Sequence, residues 1–321
     1  MIGFPINELF SEKECYQYLK RSLHPEGLSC PNGHELPSDQ APHDRRRAPI
    51  VNYRCRECGS VFNIFTDTVW SKTHYDPSTI VMLLRGFAKG LATKWLTDEM
   101  DLAYPSVLKR RHRIQEAAGR GERVGLPGEA PEDGGPDPEV EADEMYHAEI
   151  SAGAGEKGDP HRPPDDPPRR RANKQRGRGT YENDRPPIVG MVSRKTGWVS
   201  FRVCRNTKKD TLQEILTEEP AQEACIFTDE NRSYLWLESK EEPRTRKAID
   251  HSEAWAEDRD GDGKREVHVN TIEGIWTSLR NRLRLFRGVH KDYLSGYVAM
   301  FELAFNHDRV GPEVLQSMCG V

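Results

Sequence analysis

The 321-residue chain has no apolar stretch long enough to span a bilayer, and its first 30 residues lack the hydrophobic core of a signal peptide. These absences speak against a membrane-spanning helix, and lead us to expect a cytoplasmic protein with no membrane partner. No internal repeat is visible, so the chain is not an array of like units. Net charge is small, only −5 although 31% of the residues are charged, which rules out one chain-wide sign and leaves segregated acidic and basic surfaces. Cysteine is scarce and odd in number: seven, with one tight pair at Cys55 and Cys58. In a reducing compartment that spacing points to metal or redox chemistry before disulfides.

What is present divides by composition, at a length that allows two or three domains. Residues 1–27 form a helical segment, with Ser11 and Glu14 as a capping pair for a short helix over Ser11 to Ser22. Residues 28–70 hold the cysteine cluster, residues 77–120 are helical, and residues 121–138 form a Gly/Pro/acidic linker. From residue 139 to about 310 short apolar runs read as five strands (VEADEMYHAEI, PIVGMVSRKTG, WVSFRVCR, ACIFTDE, RKAIDHS). A helix, TKKDTLQEILTEE, lies between the third and fourth, and two helices end the chain. Residues 151–187, rich in Pro, Arg, Gly and Asp, read as a disordered insertion. Its run from Arg169 to Arg178, with six basic residues in ten, suits either nucleic acid or a solvated linker.

Cys30 and His34, in CPNGHE, face Cys55 and Cys58, in YRCRECGSVF, as two tight turns that would give Zn2+ four donors in a tetrahedron, the plan of a zinc ribbon. Gly33 stands where a second cysteine is usual, so His34 must serve, with His43 as a substitute. The competing reading is a lone Cys30 thiol beside a redox dithiol. In GLATKWLTDEMDLAYPSVLKRRHRIQEAA, a helix over Thr93 to Met100 and another starting near Pro105 would share Leu96, Met100, Leu102, Val107 and Leu108 as the core of a helix-turn-helix. Lys109, Arg110, Arg111 and Arg113 would then face outward as phosphate contacts; a plain helical bundle has the same pattern.

Three acids stand out in the later region. Asp143 lies inside the first strand, where a carboxylate needs a partner or a cation. Asp229 ends the fourth strand, where a ligand crevice opens. Glu273 sits on the helix in VHVNTIEGIWTSLRNRLRLFRGVH, whose core face is Ile272, Trp276, Leu279 and Leu283. Asn270 with Glu273 also fits a capping box, and Glu273 with Arg280 a solvated charge pair. An acid on the first strand, one after the fourth and one on a late helix is the layout of a ribonuclease-H-like α/β domain, a mixed sheet with flanking helices. Three converging carboxylates repel, and two Mg2+ ions relieve that. DRDGDGKRE places Asp258, Asp260 and Asp262 at calcium-loop spacing, but Val269 stands where the twelfth-position acid belongs, which favours a plain acidic loop.

The motifs YRCRECGSVFNIFTDTVW, GLATKWLTDEM, EADEMY, FTDENRSY, IDHS and the long Val267–Glu302 stretch together resemble insertion-sequence DDE transposases with an N-terminal zinc ribbon, the ISXO2-like family, over nearly the whole chain. The resemblance implies a transposase that uses Mg2+ (or Mn2+) for DNA cleavage and strand transfer, holding the metal on Asp143, Asp229 and Glu273. Asn270 competes for the third place. It also implies Arg280 as a basic partner, with Arg284 in the same DNA-facing row, Zn2+ on the ribbon, double-stranded DNA (element ends and target) as the partner, and a homo-oligomer on DNA. A regulatory or architectural DNA-binding protein that no longer cuts, and a zinc-ribbon nuclease that does not join strands, are the other readings.

Overall fold

A computed structural model describes residues 2–5, 11–120, 139–147, 179–183, 185–218, 220 and 224–321. The linker 121–138, the Arg169–Arg178 run and most of the predicted insertion therefore lie outside the described residues. The chain divides into two compact units, Met1–Glu122 with Leu303–Val321, and Arg123–Glu302. Residues 303–310, which the sequence groups with the catalytic region, fall in the first.

In the first unit, α1 (Glu12–Leu23) begins at Ser11, whose hydroxyl accepts from Glu14 N–H at 3.2 Å. Strands β1 (Asp44–Arg47), β2 (Ile50–Arg54) and β3 (Val61–Phe62) form a three-stranded antiparallel sheet. Next come α2 (Pro77–Ala88), α3 (Thr93–Met100) and α4 (Tyr104–Arg120). Leu96 and Val107 are buried as expected, whereas Met100, Leu102 and Leu108 are half-buried.

In the second unit, β4 (Glu139–Tyr146), β5 (Pro187–Ser193) and β6 (Val199–Val203) pair antiparallel. After α5 (Lys209–Glu218), β7 (Cys225–Asp229) and β8 (Thr245–Ile249) add in parallel, and the sheet order is β6-β5-β4-β7-β8. The chain continues through α6 (Asn270–Arg284) and α7 (Lys291–Asn306). This five-stranded mixed sheet with flanking helices is compatible with a ribonuclease-H-like domain. One sheet face packs on Ile272, Trp276, Leu279 and Leu283 of α6 and on α7; the other packs on Leu212 and Leu216 of α5 and on Tyr234. No helix among the described residues is long and apolar enough to cross a membrane.

Several expectations need correction. A further helix, α8 (Pro312–Cys319), follows the two read at the end of the chain, with Pro312 in its first turn and Gly320 closing it in the left-handed region. The tail of the predicted insertion is ordered: Thr180 N–H donates to Asn183 Oδ1, Tyr181 N–H to Arg205 O, and Lys291 Nζ to Tyr181 O. The capping box at Asn270 and Glu273 does not form. Asn270 is the first helical residue, Val269 takes the cap position, and no side chain there bonds the first turn.

A strand residue does that work. Glu141, fully buried on β4, accepts from Thr271 N–H at 2.9 Å, Thr271 Oγ1–H at 2.9 Å and Ile272 N–H at 3.1 Å. Arg194 Nε donates to the same carboxylate at 3.0 Å, while its other nitrogens donate to Glu266 O and His268 O. A buried ion pair loses most when one partner is removed, because the other charge is left bare. Glu141→Ala should therefore lower stability by about 3–5 kcal/mol, and Glu141→Gln, which keeps an acceptor, by clearly less. Urea unfolding followed by tryptophan fluorescence checks this, and wild-type stability in Glu141→Ala would refute the capping role.

Candidate functional site

Residues of β4 alternate between the two faces of the sheet: Val140 and Ala142 enter the core beneath α5, and Glu141, Asp143 and Met145 turn toward α6. Strand β4 pairs with β7 only at Glu139↔Cys225, Val140↔Ile226 and Glu141↔Phe227. Two residues further along that register, Asp143 comes opposite Asp229. The parallel pairing thus stops just before both strands turn acidic, at the carboxyl end of β7, the place where sheets of this kind take ligands. Carboxylate oxygens of Asp143, Glu144 and Asp229 lie within 4.8 Å of one another.

Each acid has a fixed orientation. Trp276 Nε1–H donates to Asp143 Oδ2 at 2.9 Å, Asn231 N–H donates to Asp229 Oδ1 at 3.0 Å, and Asn231 Nδ2–H donates to Glu144 Oε1 at 3.3 Å. The Trp276 indole reaches Asp143 by lying across Gly190, the residue of β5 paired with Asp143. A β-carbon at position 190 would stand 2.3 Å from the indole, so only glycine leaves room. Burial, followed by repulsion from Asp229 and Glu273, raises the Asp143 carboxyl to about 6.

Of the residues proposed for this site, the structure brings Asp143 and Asp229 together and adds Glu144, which the sequence reading had passed over in EADEMY. Glu273 stands outside the 4.8 Å cluster but close enough for its charge to act on Asp143; its Oε1 lies 3.7 Å from His251 Nε2. Asn270 is exposed, and its N–H points to His268 Nδ1 at 3.4 Å. Arg280 and Arg284 line a cavity of about 140 Å³ with Met145, Tyr146, His147 and Leu283. Arg282, between them in sequence, is turned inward to Met300 O. The sequence reading also missed Glu141, Arg194 and the polar role of Trp276. A signal existed: Glu139, Glu141 and Asp143 recur at period two, so three acids share one face of a strand that also carries Val140 and Ala142.

A second cluster lies in the first unit. The turns at Cys30 and Cys55 close through Gly33 N–H to Cys30 O and Gly59 N–H to Cys55 O. Cys30 Sγ is 3.3 Å from His34 Nδ1 and 3.8 Å from Cys58 Sγ, and Cys55 Sγ is 3.6 Å from His34 Nδ1. With Zn–S near ~2.3 Å and Zn–N near ~2.0 Å, a tetrahedron has S···S edges of roughly 3.8 Å and S···N edges of roughly 3.5 Å. The four donors fit such an ion. The Ser60 hydroxyl and the Asn32 amide hold the Cys58 thiol down to about 5, which favours the ligating thiolate. His43 is not among the donors; it faces Arg54 Nη2 at 3.5 Å. Asp258, Asp260 and Asp262 also cluster, but they spend oxygens on their own loop's N–H groups.

On α4 the four basic residues do not share one face. Lys109 and Arg113 are exposed and Arg110 is half-buried. Arg111 is 2% exposed, with Nε on Thr93 Oγ1 at 2.8 Å, Nη2 on Leu91 O and its guanidinium over the Phe87 ring. Its expected role as an outward phosphate contact is overturned, since residue 111 shares the inward stripe of Val107 and Ile114.

The sequence profile of the ISXO2-like transposase domain matches residues 139–306, more than half of the chain and the whole span of the carboxylate site. The chain belongs to the ISXO2-like transposase family. A protein in the transposable element ISH50 of Halobacterium salinarum is 27% identical over 303 residues, 93% of this chain and 92% of its own. A transposase-like protein of Haemophilus influenzae is 27% identical over 112 residues, 35% of this chain and 84% of its own. A chain of the simian T-cell lymphotropic virus intasome in complex with a PP2A regulatory subunit overlaps 69% of this transposase and 68% of itself, at 13% identity and a TM-score of 0.28, too low to carry an argument.

The raised Asp143 carboxyl makes a signed prediction. Between about pH 4 and 6 the folded chain holds a proton there that the unfolded chain has lost, so stability falls as pH rises through that window. Asp143→Asn should then be more stable than the parent by about 2–3 kcal/mol at pH 7.5 without divalent ions, and the gain should vanish near pH 4. Paired urea titrations at the two pH values test it; a gain independent of pH would remove Asp143 as its source.

Proposed function

We propose that this transposase cuts and joins DNA through a divalent-metal site on Asp143 and Asp229, with Glu273 as the third ligand. Asn270 is the alternative third ligand, and Glu144 a neighbour. The observation that carries this reading is the cluster where the β4–β7 pairing stops, with three carboxylates inside 4.8 Å and one of them raised to about 6 by burial and its neighbours. Clustered carboxylate oxygens are donors suited to Mg2+ or Mn2+. Such ions, when bound, supply Lewis-acid stabilisation of attacking and leaving oxygens in phosphodiester displacement. The chain's own part is to hold these acids in fixed orientations, through Trp276 on Asp143 and Asn231 on Asp229 and Glu144. Arg280 and Arg284, on the outward side of α6, would hold DNA phosphates beside the cluster.

Under this reading Cys30, His34, Cys55 and Cys58 carry Zn2+ in a ribbon, α3 and α4 act as a helix-turn-helix, and Lys109 and Arg113 touch the backbone of the element end. The protein would work in the cytoplasm on double-stranded DNA as a homo-oligomer, without a membrane. The clustered acids favour catalysis over a purely architectural role, because a surface that only binds DNA gains nothing from gathering negative charge.

Two experiments follow. Metal analysis should return about one zinc per chain, and Cys58→Ser should lose it; full zinc in that variant would move the site. Asp143→Ala, Asp229→Ala and Glu273→Ala should each abolish Mg2+-dependent cleavage and strand joining on labelled element ends while keeping DNA binding. Normal cutting by Glu273→Ala with a dead Asn270→Ala would give the third place to Asn270. The same outcome with Glu144→Ala dead would give it to Glu144.

A further inference from the structure

Outside the carboxylate site, the described residues of the first unit form a strongly basic groove of about 310 Å³. Lys72, His74 and Tyr75 form one wall and Lys109, Arg110 and Arg113 the other. We propose that the Lys72–Tyr75 segment is the second jaw of a clamp on the phosphodiester backbone of duplex DNA, facing the basic side of α4. The proposal rests on the transposase reading only for the choice of DNA as the polymer.

Charge is the first argument. The groove lining contains four permanently cationic side chains and no acid. Among the described residues Lys72, Lys109 and Arg113 take part in no ion pair or side-chain hydrogen bond. Folded surfaces ordinarily intersperse the two signs, so like charges gathered without a counter-charge create a field that an external polyanion relieves. Burial, and then the Arg113 charge, lower the pKa of Arg110.

Backbone geometry is the second. Lys72 sits at φ +58°, in the left-handed region that costs an L-residue roughly 1–2 kcal/mol. The surrounding segment enforces that conformation. Ser71 N–H donates to Thr68 O at 2.9 Å and Thr73 N–H to Trp70 O at 3.0 Å, while Arg47 Nη1 and Nη2 donate to Thr73 O and Tyr75 O. The Tyr75 ring is edge-on to the fully buried Trp70, and the Arg110 guanidinium lies over the same indole. The Lys72 ammonium is thus displayed from a rigid, locally strained turn, while Lys109 and Arg113 are displayed from a helix. Strain held in place by its surroundings is characteristic of functional positions.

The chemistry of the lining selects the ligand. Two lysines, two arginines and the hydroxyls of Thr73, Tyr75 and Ser106 offer donors to phosphate oxygens, and the Tyr75 ring is engaged with Trp70. The groove is therefore suited to sugar-phosphate backbone and not to base readout, and it sets register without reading sequence.

The test uses the full chain carrying Asp143→Asn, in buffer without added Mg2+ or Mn2+ and without chelator, with a fluorescent duplex of arbitrary sequence and anisotropy over a KCl series. Lys72→Gln keeps the β-carbon and removes only the charge. It should lower the slope of log K against log[KCl] by about 0.9, as should Lys109→Gln and Arg113→Gln, with thermal unfolding midpoints unchanged. If Lys72 and Lys109 hold one phosphate, the double variant should lose less than the sum of the singles. An unchanged slope and affinity in Lys72→Gln overturns the clamp, even if α4 variants weaken binding. Tighter, Lys72-dependent binding of an RNA duplex overturns the assignment to DNA. Loss of binding in these variants, from a parent without Asp143→Asn that never cuts element ends, would uphold the clamp and refute the transposase reading; normal cutting by Lys72→Gln with unchanged binding would do the reverse.

Discussion

The buried carboxylate of Glu141 ties the first strand of the mixed sheet to the first turn of α6, and the geometry of the acid site follows from that tie. It fixes the height at which the helix begins along β4. Four helical residues climb about 6 Å and two strand residues about 6.7 Å, so the step from Ile272 to Trp276 matches the step from Glu141 to Asp143. The indole N–H therefore arrives at Asp143 Oδ2, across a strand that has glycine where any side chain would block it. Continuing at the same pace brings Arg280 and Leu283 alongside Met145 and His147. One capped helix end thus sets the orientation of an acid, the placement of an arginine row and the packing of the face between them.

Electrostatics makes the cluster of acids costly to hold together. Asp143 is mostly buried, its neighbours are acids, and its one side-chain donor is a neutral indole, which offsets only part of the penalty. Glu141, only two residues away and fully buried, does not share this condition, because Arg194 and the first-turn N–H groups of α6 neutralise it. Two carboxylates on one strand face thereby divide into a structural role and a chemical one. The distinction lies chiefly in their partners, a cation and helix N–H groups for Glu141 and a neutral indole beside other acids for Asp143. The first unit shows the converse, with Lys72, Lys109 and Arg113 paired to no acid among the described residues while Arg111 is absorbed into the core.

Much of the architecture was legible in the chain. The bounds of α3, the five strands, the burial of Ile272, Trp276, Leu279 and Leu283, and the four donors around Cys30 and Cys55 follow from periodicity and ligand spacing, which are local properties. The error at Arg111 is instructive for the same reason. Residues 109 to 113 cover more than a full helical turn, so no helix can present all of them outward, and the one nearest the Val107–Ile114 stripe had to turn in. Helix α8 had its Pro start and Gly stop in plain view.

The sequence alone determined the element types, the family motifs and the residues able to hold metal or phosphate, because these depend on side-chain chemistry and short-range spacing. Tertiary structure decided how those residues were used. Whether Glu141 or Asn270 caps α6, whether Glu144 joins Asp143 and Asp229, and whether Lys72 stands across from α4 all depend on contacts between segments tens of residues apart. The physical reason is that a carboxylate or a cation has the same intrinsic chemistry everywhere in a chain, while its partners, burial and charge state are conferred by whichever segments fold against it.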